Sequence, residues 1–221
     1  MARGDVRNIC FHGIGTPGRT IDDDEARYWI TADEYLRILD EIATWPATVV
    51  SFDDGNASDV EIGLPGLLER GLTATFFVLA GRLDTPGSLT SQQVAGLGAA
   101  GMRVGSHGMD HVSWRAMTAE VRRRELVEAR DVIAAVAGEV TEAALPRGQY
   151  DRGTLRSLRE LGYTAVHTSD RRLATDGAWL RPRFSVTRHD TPQTLVQAAL
   201  VPPPVHRRVA LEAKGLLKRW R

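Results

Sequence analysis

The sequence predicts an α/β fold built on a mostly parallel sheet, closed into a barrel or left open. Three observations carry that expectation. Apolar, β-branched-rich runs alternate with helix-like segments along almost the whole chain. The links between them are short, as in successive strand–helix–strand units. The length, 221 residues, suits one domain with a large core. In either architecture the chemistry sits just past the carboxyl ends of the strands.

Taken in order, 6–14 (VRNICFHGI) reads as the first strand, and 31–43 as a helix with apolar spacing at Tyr35, Leu36, Leu39 and Ile42. A strand follows in ATVVSF. Ser58 and Glu61 have the spacing of a capping box, which predicts a helix from there to about Glu69. Residues 73–80 (TATFFVLA) read as an interior strand, SQQVAGLGAAG as a helix ended by Gly101, and 102–107 (MRVGSH) as a strand. The clearest helix covers 118–138. EAALP then predicts a short strand, DRGTLRSLRELG a helix, YTAVHTS a strand and AWLRPRFSV the last strand. Residues 15–30, with Tyr28 and Trp29, read as a long loop.

Composition excludes several classes. The 28 basic and 28 acidic residues cancel, so no global field favours nucleic acid, and no nucleic-acid motif is present. Cys10 is the only cysteine, so no intramolecular disulfide can form. The start lacks an apolar signal core, and no apolar run reaches the ~18 residues of a membrane span. These features together predict a cytoplasmic protein.

Polar residues gather where strands end. His12 follows the first strand; Asp53 and Asp54 follow the second; His107 and His111 follow the fourth, in SHGMDH; LPRGQYD follows the fifth and Asp170 the sixth. Each has a plain reading: DDG alone is equally a turn, and His107 and His111 could be surface helix residues. Together they fall in the order a single site needs. An H-x-x-x-H spacing puts two imidazoles on one face if the loop winds into a helical turn. Two imidazoles and one carboxylate are a usual ligand set for a catalytic zinc.

SFDDG, SHGMDH and LPRGQYD resemble the first three motifs of the NodB-like polysaccharide deacetylases, carbohydrate esterase family four, over roughly residues 6–190. The resemblance implies a distorted (β/α) barrel of about seven parallel strands and metal-dependent hydrolysis of the acetamide of N-acetylated sugars. Carried over by position, it implies Asp53 as general base and Asp54, His107 and His111 as ligands of one divalent ion, zinc by its ligand set. Gly55 would let the chain turn so that adjacent carboxylates enter one pocket. The backbone N–H of Arg147 would serve as oxyanion donor.

Two positions depart from the family pattern. Ala144 stands where an arginine usually orients the base, and Arg183 is the candidate replacement. The last strand has no histidine at its end. CFHGIG resembles instead a permuted subset, similar to the poly-N-acetylglucosamine deacetylases, whose acid histidine lies on the first strand. That assigns His12 as general acid, with Asp170 holding its tautomer; His167 and His189 are weaker candidates. An amide or cyclic-imide hydrolase acting on a non-sugar substrate, and a catalytically inactive glycan-binding relative, are the rival readings.

The expected catalytic domain is 1–200, followed over 201–221 by a proline-led basic amphipathic helix. In that helix Val209, Ala213, Leu216, Leu217 and Trp220 share one face, and Arg207, Arg208, Lys214, Lys218, Arg219 and Arg221 surround it. The segment either docks on the barrel or lies peripherally on an anionic membrane. A cytoplasmic enzyme would take an N-acetylated precursor, such as a nucleotide sugar or a lipid-linked glycan at the inner membrane face.

Overall fold

Seven strands form the frame: β1 (Asp5–Phe11), β2 (Thr48–Asp54), β3 (Ala74–Val78), β4 (Arg103–Ser106), β5 (Glu142–Ala144), β6 (Ala165–Thr168) and β7, which is made of Leu180–Pro182 and Phe184–Ser185 with Arg183 between them. The computed structural model describes residues 4–202 together with 204, 213 and 215. The C-terminal helix expected over 201–221, with its apolar face and basic rim, therefore lies almost wholly outside the described residues.

Neighbouring strands pair parallel in the order β1-β2-β3-β4-β5-β6-β7. The two halves of β7 face different partners. Leu180–Pro182 pairs with β6, while Phe184 and Ser185 pair with Ile9 and Cys10 of β1. The broken seventh strand thus brings the sheet round nearly to closure as a distorted barrel. Ala174–Thr175 adds a short antiparallel pairing to the start of β1. The apolar runs of β2 and β3 are buried without alternation, because both faces of a parallel sheet are covered.

The helices form for readable reasons. In α1 (Ala32–Ile42) Thr31 Oγ1 accepts from Glu34 N at 3.1 Å, and Tyr35, Ile38, Leu39 and Ile42 form the buried stripe. After it come α2 (Leu64–Glu69) and α3 (Ser91–Ala99), the second opened by a full capping box at Thr90 and Gln93. The long helix α4 runs over 119–137, with π-type turns at Arg123–Glu128, and ends at Gly138, where φ is 83°. Helix α5 (Arg152–Glu160) is capped by Asp151.

Three expectations are corrected. The Ser58–Glu61 capping box does not form: Ser58 has helical φ/ψ, and its Oγ instead accepts from Ile14 N at 3.2 Å. The chain passes through a π-type turn, Asp59–Gly63, before α2. Residues 15–30 are not a featureless loop, since Asp23–Ala26 is helical and Trp29–Ile30 pairs with Gly13–Ile14. Beyond β7, Pro192–Ala199 forms a helix that was not expected, α6; Thr191 caps it and Pro192 occupies its first turn.

Gly105 in β4 shows how tight the barrel interior is. A Cβ there would lie 2.5 Å from the Phe77 ring and 2.9 Å from Glu142 O. Gly105→Ala is therefore expected to destabilise the protein by about 1–3 kcal/mol through overpacking. Chemical denaturation measures this, and an unchanged midpoint would show that the ring moves aside freely.

Candidate metal centre and active site

Two adjacent residues of an extended strand point to opposite faces, yet Asp53 and Asp54 line one cleft. The backbone explains this. Asp54 itself has φ 77°, followed by Gly55 at 68°. The turn begins one residue before the glycine to which it was assigned, at an aspartate, a residue that tolerates the left-handed region. Both carboxylates are buried.

His107 follows β4 directly, and its backbone N–H donates to Val78 O at 2.8 Å. The H-x-x-x-H stretch does not wind into a helix. It is an irregular turn through Gly108, with His111 in the left-handed region at φ 56°. The imidazoles still converge, with ring centroids 5.2 Å apart. Both Nε2 atoms lie 3.5 Å from Asp54 Oδ1.

The chemistry of that cluster suits a cation. His107 Nδ1 lies 2.9 Å from Ala144 O. A carbonyl can only accept, so Nδ1 carries the proton and Nε2 presents a lone pair to the carboxylate. Asp54 Oδ1 is buried without a hydrogen-bond partner among the described residues. Burial lowers the pKa of both imidazoles to about 4, assisted at His111 by Arg82 and Arg147. The His107 lone pair aimed at an orphaned carboxylate oxygen repels it unless a cation lies between them, and the ligand atoms lie within 4.8 Å of one another. The residues fit a divalent ion with N₂O ligation.

Asp53 is held differently. Arg183 Nη1 and Nη2 donate to its Oδ1 and Oδ2, each at 2.6 Å, and Nη1 also donates to Ser51 Oγ at 3.0 Å. Burial alone would raise the Asp53 pKa, but the Arg183 guanidinium, helped by His107, holds it well below the usual carboxylate range. Arg183 comes from the break in β7, where its own N–H pairs with Thr168 O. Ala144, at the family's arginine position, contributes only its carbonyl.

His12 Nε2 lies 3.9 Å from Asp53 Oδ2, and its ring stacks on Tyr28 with centroids 4.5 Å apart. The expected Asp170–His12 contact is corrected. Asp170 Oδ2 accepts from Thr168 Oγ1 at 2.8 Å and from Tyr150 OH at 3.3 Å, whereas His12 Nδ1 has no hydrogen-bond partner among the described residues. Asp53, not Asp170, is the carboxylate beside His12. Arg147, at φ 57°, lines the cleft and donates from Nε to His111 O at 3.2 Å.

His167 lies apart from this cluster, bonded through Nε2 to Glu142 at 2.8 Å; His189 is on the surface beside Arg188. Cys10, His12 and Asp53 also come within 4.8 Å of one another. Burial pushes the Cys10 thiol well above its usual range, and Asp53 is committed to Arg183, so that trio is not a ligand set. Sequence reasoning passed over Tyr28 and Arg82, both lining the cleft of about 230 Å³. The only signal was an aromatic pair in a long acidic loop.

A sequence model described as polysaccharide deacetylase matches residues 43–166 of the chain. Among curated proteins, YxkH of Bacillus subtilis (strain 168), assigned by name to that family, is 24% identical over 123 residues, which is 55% of this chain and 44% of the relative. The chain thus spans less than half of that relative's length. Among solved structures, the Streptococcus pyogenes deacetylase PplD, in complex with acetate, superposes with a TM-score of 0.76 at 19% identity, over 91% of this chain and 100% of that one. IcaB from Ammonifex degensii gives 0.71 at 22% identity, over 89% and 98%. At these identities the structural likeness concerns the fold.

Two outcomes test the electrostatics. Arg183→Met leaves Asp53 buried and unpaired and is expected to cost about 3–5 kcal/mol at neutral pH. The Asp53 pKa is depressed in the native protein, so the stability it contributes is present above its unfolded value of ~3.9 and lost below it. In the variant burial raises that pKa instead, so the gap between the two proteins narrows as the solution is acidified; a gap constant from pH 7 to 4 would refute the pairing. In chelator, the buried imidazoles of His107 and His167 and the half-buried one of His111 stay neutral to about pH 4. The unfolded chain takes up those protons from about pH 6.5 downward, so metal-free stability should fall between pH 7 and 4, as denaturant titrations at each pH would show.

Proposed function

The chain belongs to the polysaccharide deacetylase family, and we propose that it hydrolyses the acetamide of an N-acetylated sugar or glycan precursor with one divalent ion, zinc by its ligand set, held by Asp54, His107 and His111. The observation that carries this reading is Asp54 Oδ1, buried without a hydrogen-bond partner among the described residues and faced at 3.5 Å by the Nε2 atoms of His107 and His111. When bound, such an ion polarises the acyl carbonyl and acidifies the attacking water toward a pKa of about 7.

The remaining work falls to the chain's own side chains. Asp53, ionised and fixed in orientation by Arg183, accepts a proton from the attacking water. The Arg147 amide is the oxyanion donor in this reading. His12 gives a proton to the departing amine, which leaves poorly without one. The stacked Tyr28 ring holds the imidazole plane. Ala144, the feature that suggested an inactive relative, does not leave the base without a cation, because Arg183 pairs with it from another strand. This favours an enzyme over a glycan-binding module. A non-sugar amide or cyclic imide is separated from an acetylated sugar by a substrate panel read as acetate release.

Among the described residues no helix is long and apolar enough to cross a membrane. The lone cysteine is compatible with the proposed cytoplasmic setting, where a nucleotide sugar or lipid-linked glycan would be the substrate.

His107→Ala is expected to lose the ion, as read by elemental analysis, and with it acetate release. Asp53→Asn and His12→Ala should keep the ion and lose roughly 10²–10⁴-fold in turnover. The His12→Ala loss should be smaller on an acetyl ester with a good leaving group. Full activity of His107→Ala after chelation would sink the metal reading, and full activity of His12→Ala would move the acid elsewhere.

A further inference from the structure

Glu125 is a buried acid that none of the steps above uses. It projects from the π-type turns of α4 at Arg123–Glu128 and is 1% exposed. Among the described residues no lysine, arginine or histidine forms an ion pair with it. Its partners are three N–H groups of one segment. Oε2 accepts from Met109 N at 2.9 Å and from Trp114 Nε1 at 3.1 Å, and Oε1 accepts from Asp110 N at 3.1 Å. Three donors and no acceptor describe a carboxylate that works purely as an acceptor.

Trp114 lies three residues past His111, while Met109 and Asp110 belong to the turn that connects the two histidines. The other side of that turn is also held: the carbonyls of Gly108 and Met109 accept from Ala80 N at 2.9 Å and Gly81 N at 3.0 Å. The carboxylate lies so close that a Cβ at Gly108 would stand 2.3 Å from Oε2. Backbone just past the end of β3, at Ala80 and Gly81, thus fixes one face of the 108–110 turn, and Glu125 fixes the other. His111 leaves this turn at φ 56°, a conformation that a residue other than glycine keeps only when its surroundings impose it.

We propose that Glu125 is a positioning residue for the metal centre: its carboxylate clamps the 108–110 turn and so sets the placement of His111 Nε2 relative to His107 Nε2 and Asp54. This rests on the metal reading above. Outer partners that orient ligands typically govern metal affinity by about 10–100-fold, and here the orienting group acts through backbone amides rather than on a ring nitrogen.

The test is Glu125→Gln in the full chain. The amide keeps the shape but turns one acceptor into an N–H donor facing an N–H group. Zinc affinity is measured by competition with a chromophoric chelator, and the cobalt(II) visible spectrum reports ligand geometry. The expected result is a dissociation constant raised about 10–100-fold with an altered cobalt spectrum. Tyr163→Phe serves as control; it removes another buried hydrogen bond to α4, from Tyr163 OH to Leu126 O at 3.1 Å, and should leave zinc affinity unchanged.

If Glu125→Gln lowers thermal stability but binds zinc like wild type, Glu125 is merely structural and the inference is overturned. If Glu125→Gln does not fold, Trp114→Phe decides. That variant removes one of the three donors, and a several-fold loss of affinity supports the clamp while an unchanged constant overturns it. Absence of zinc binding by wild type would fell the metal reading and this inference together, whereas tight wild-type binding with an indifferent Glu125→Gln fells the inference alone.

Discussion

The Asp53–Arg183 pair is the contact around which the barrel closes. A carboxylate buried as deeply as Asp53 would ordinarily hold its proton, and a guanidinium in the same interior would be intolerable alone. Placed together at 2.6 Å, each makes the other's burial possible. The pair also joins the strand that opens the barrel's chemistry to the strand that ends it. Arg183 sits in the gap of β7, and the two halves of that strand pair with β6 and β1. Fixing Asp53 and closing the sheet are therefore one event in packing terms.

The rest of the cleft follows a similar logic, with reactive groups oriented by structure that is otherwise committed. Ala144 takes no side-chain part, but its carbonyl fixes the tautomer of His107. That carbonyl belongs to a strand end, so its direction is set by pairing with β6. Glu125 meets the histidine turn from outside the barrel wall. Groups from β1, β2, β4 and β7 thus converge on one end of the sheet, as expected where strands point their carboxyl ends at a site.

Much of this was legible in the sequence because it follows from local rules. The alternation of runs gave the seven strands, and the strand-end rule gathered His12, Asp53, Asp54, His107 and His111 at one end. The family resemblance, not a local rule, marked the missing arginine at Ala144, and Arg183 pairs with Asp53 in its stead. The parts that were not legible depend on long-range partners. Ser58 has the spacing of a cap, but Ile14 N claims its hydroxyl, and nothing near Ser58 signals that. Asp170 follows a strand end as the others do, yet Thr168 and Tyr150 bind its carboxylate. The stacking of Tyr28 on His12 depends on how a long loop folds back. Helix α6 did carry a signal, Thr191 followed by Pro192, but it is short and lies between the last strand and the basic C-terminal segment, which carried the stronger helical pattern.

The split seventh strand has a consequence for how the chain is made. Its second half must pair with Ile9 and Cys10, so partners from nearly opposite ends of the described chain have to meet before the sheet comes round. Such non-local pairing slows folding. Synthesis proceeds from β1 onward, and until residues 180–185 leave the ribosome the six completed strands expose two unpaired edges, along β1 and β6. Exposed edges invite pairing with other chains. A nascent chain at that stage also holds Asp53 without its guanidinium, so assembly of the working cleft waits for the last strand. Protein yield and assembly of the cleft should thus share one kinetic bottleneck, the docking of a six-residue segment.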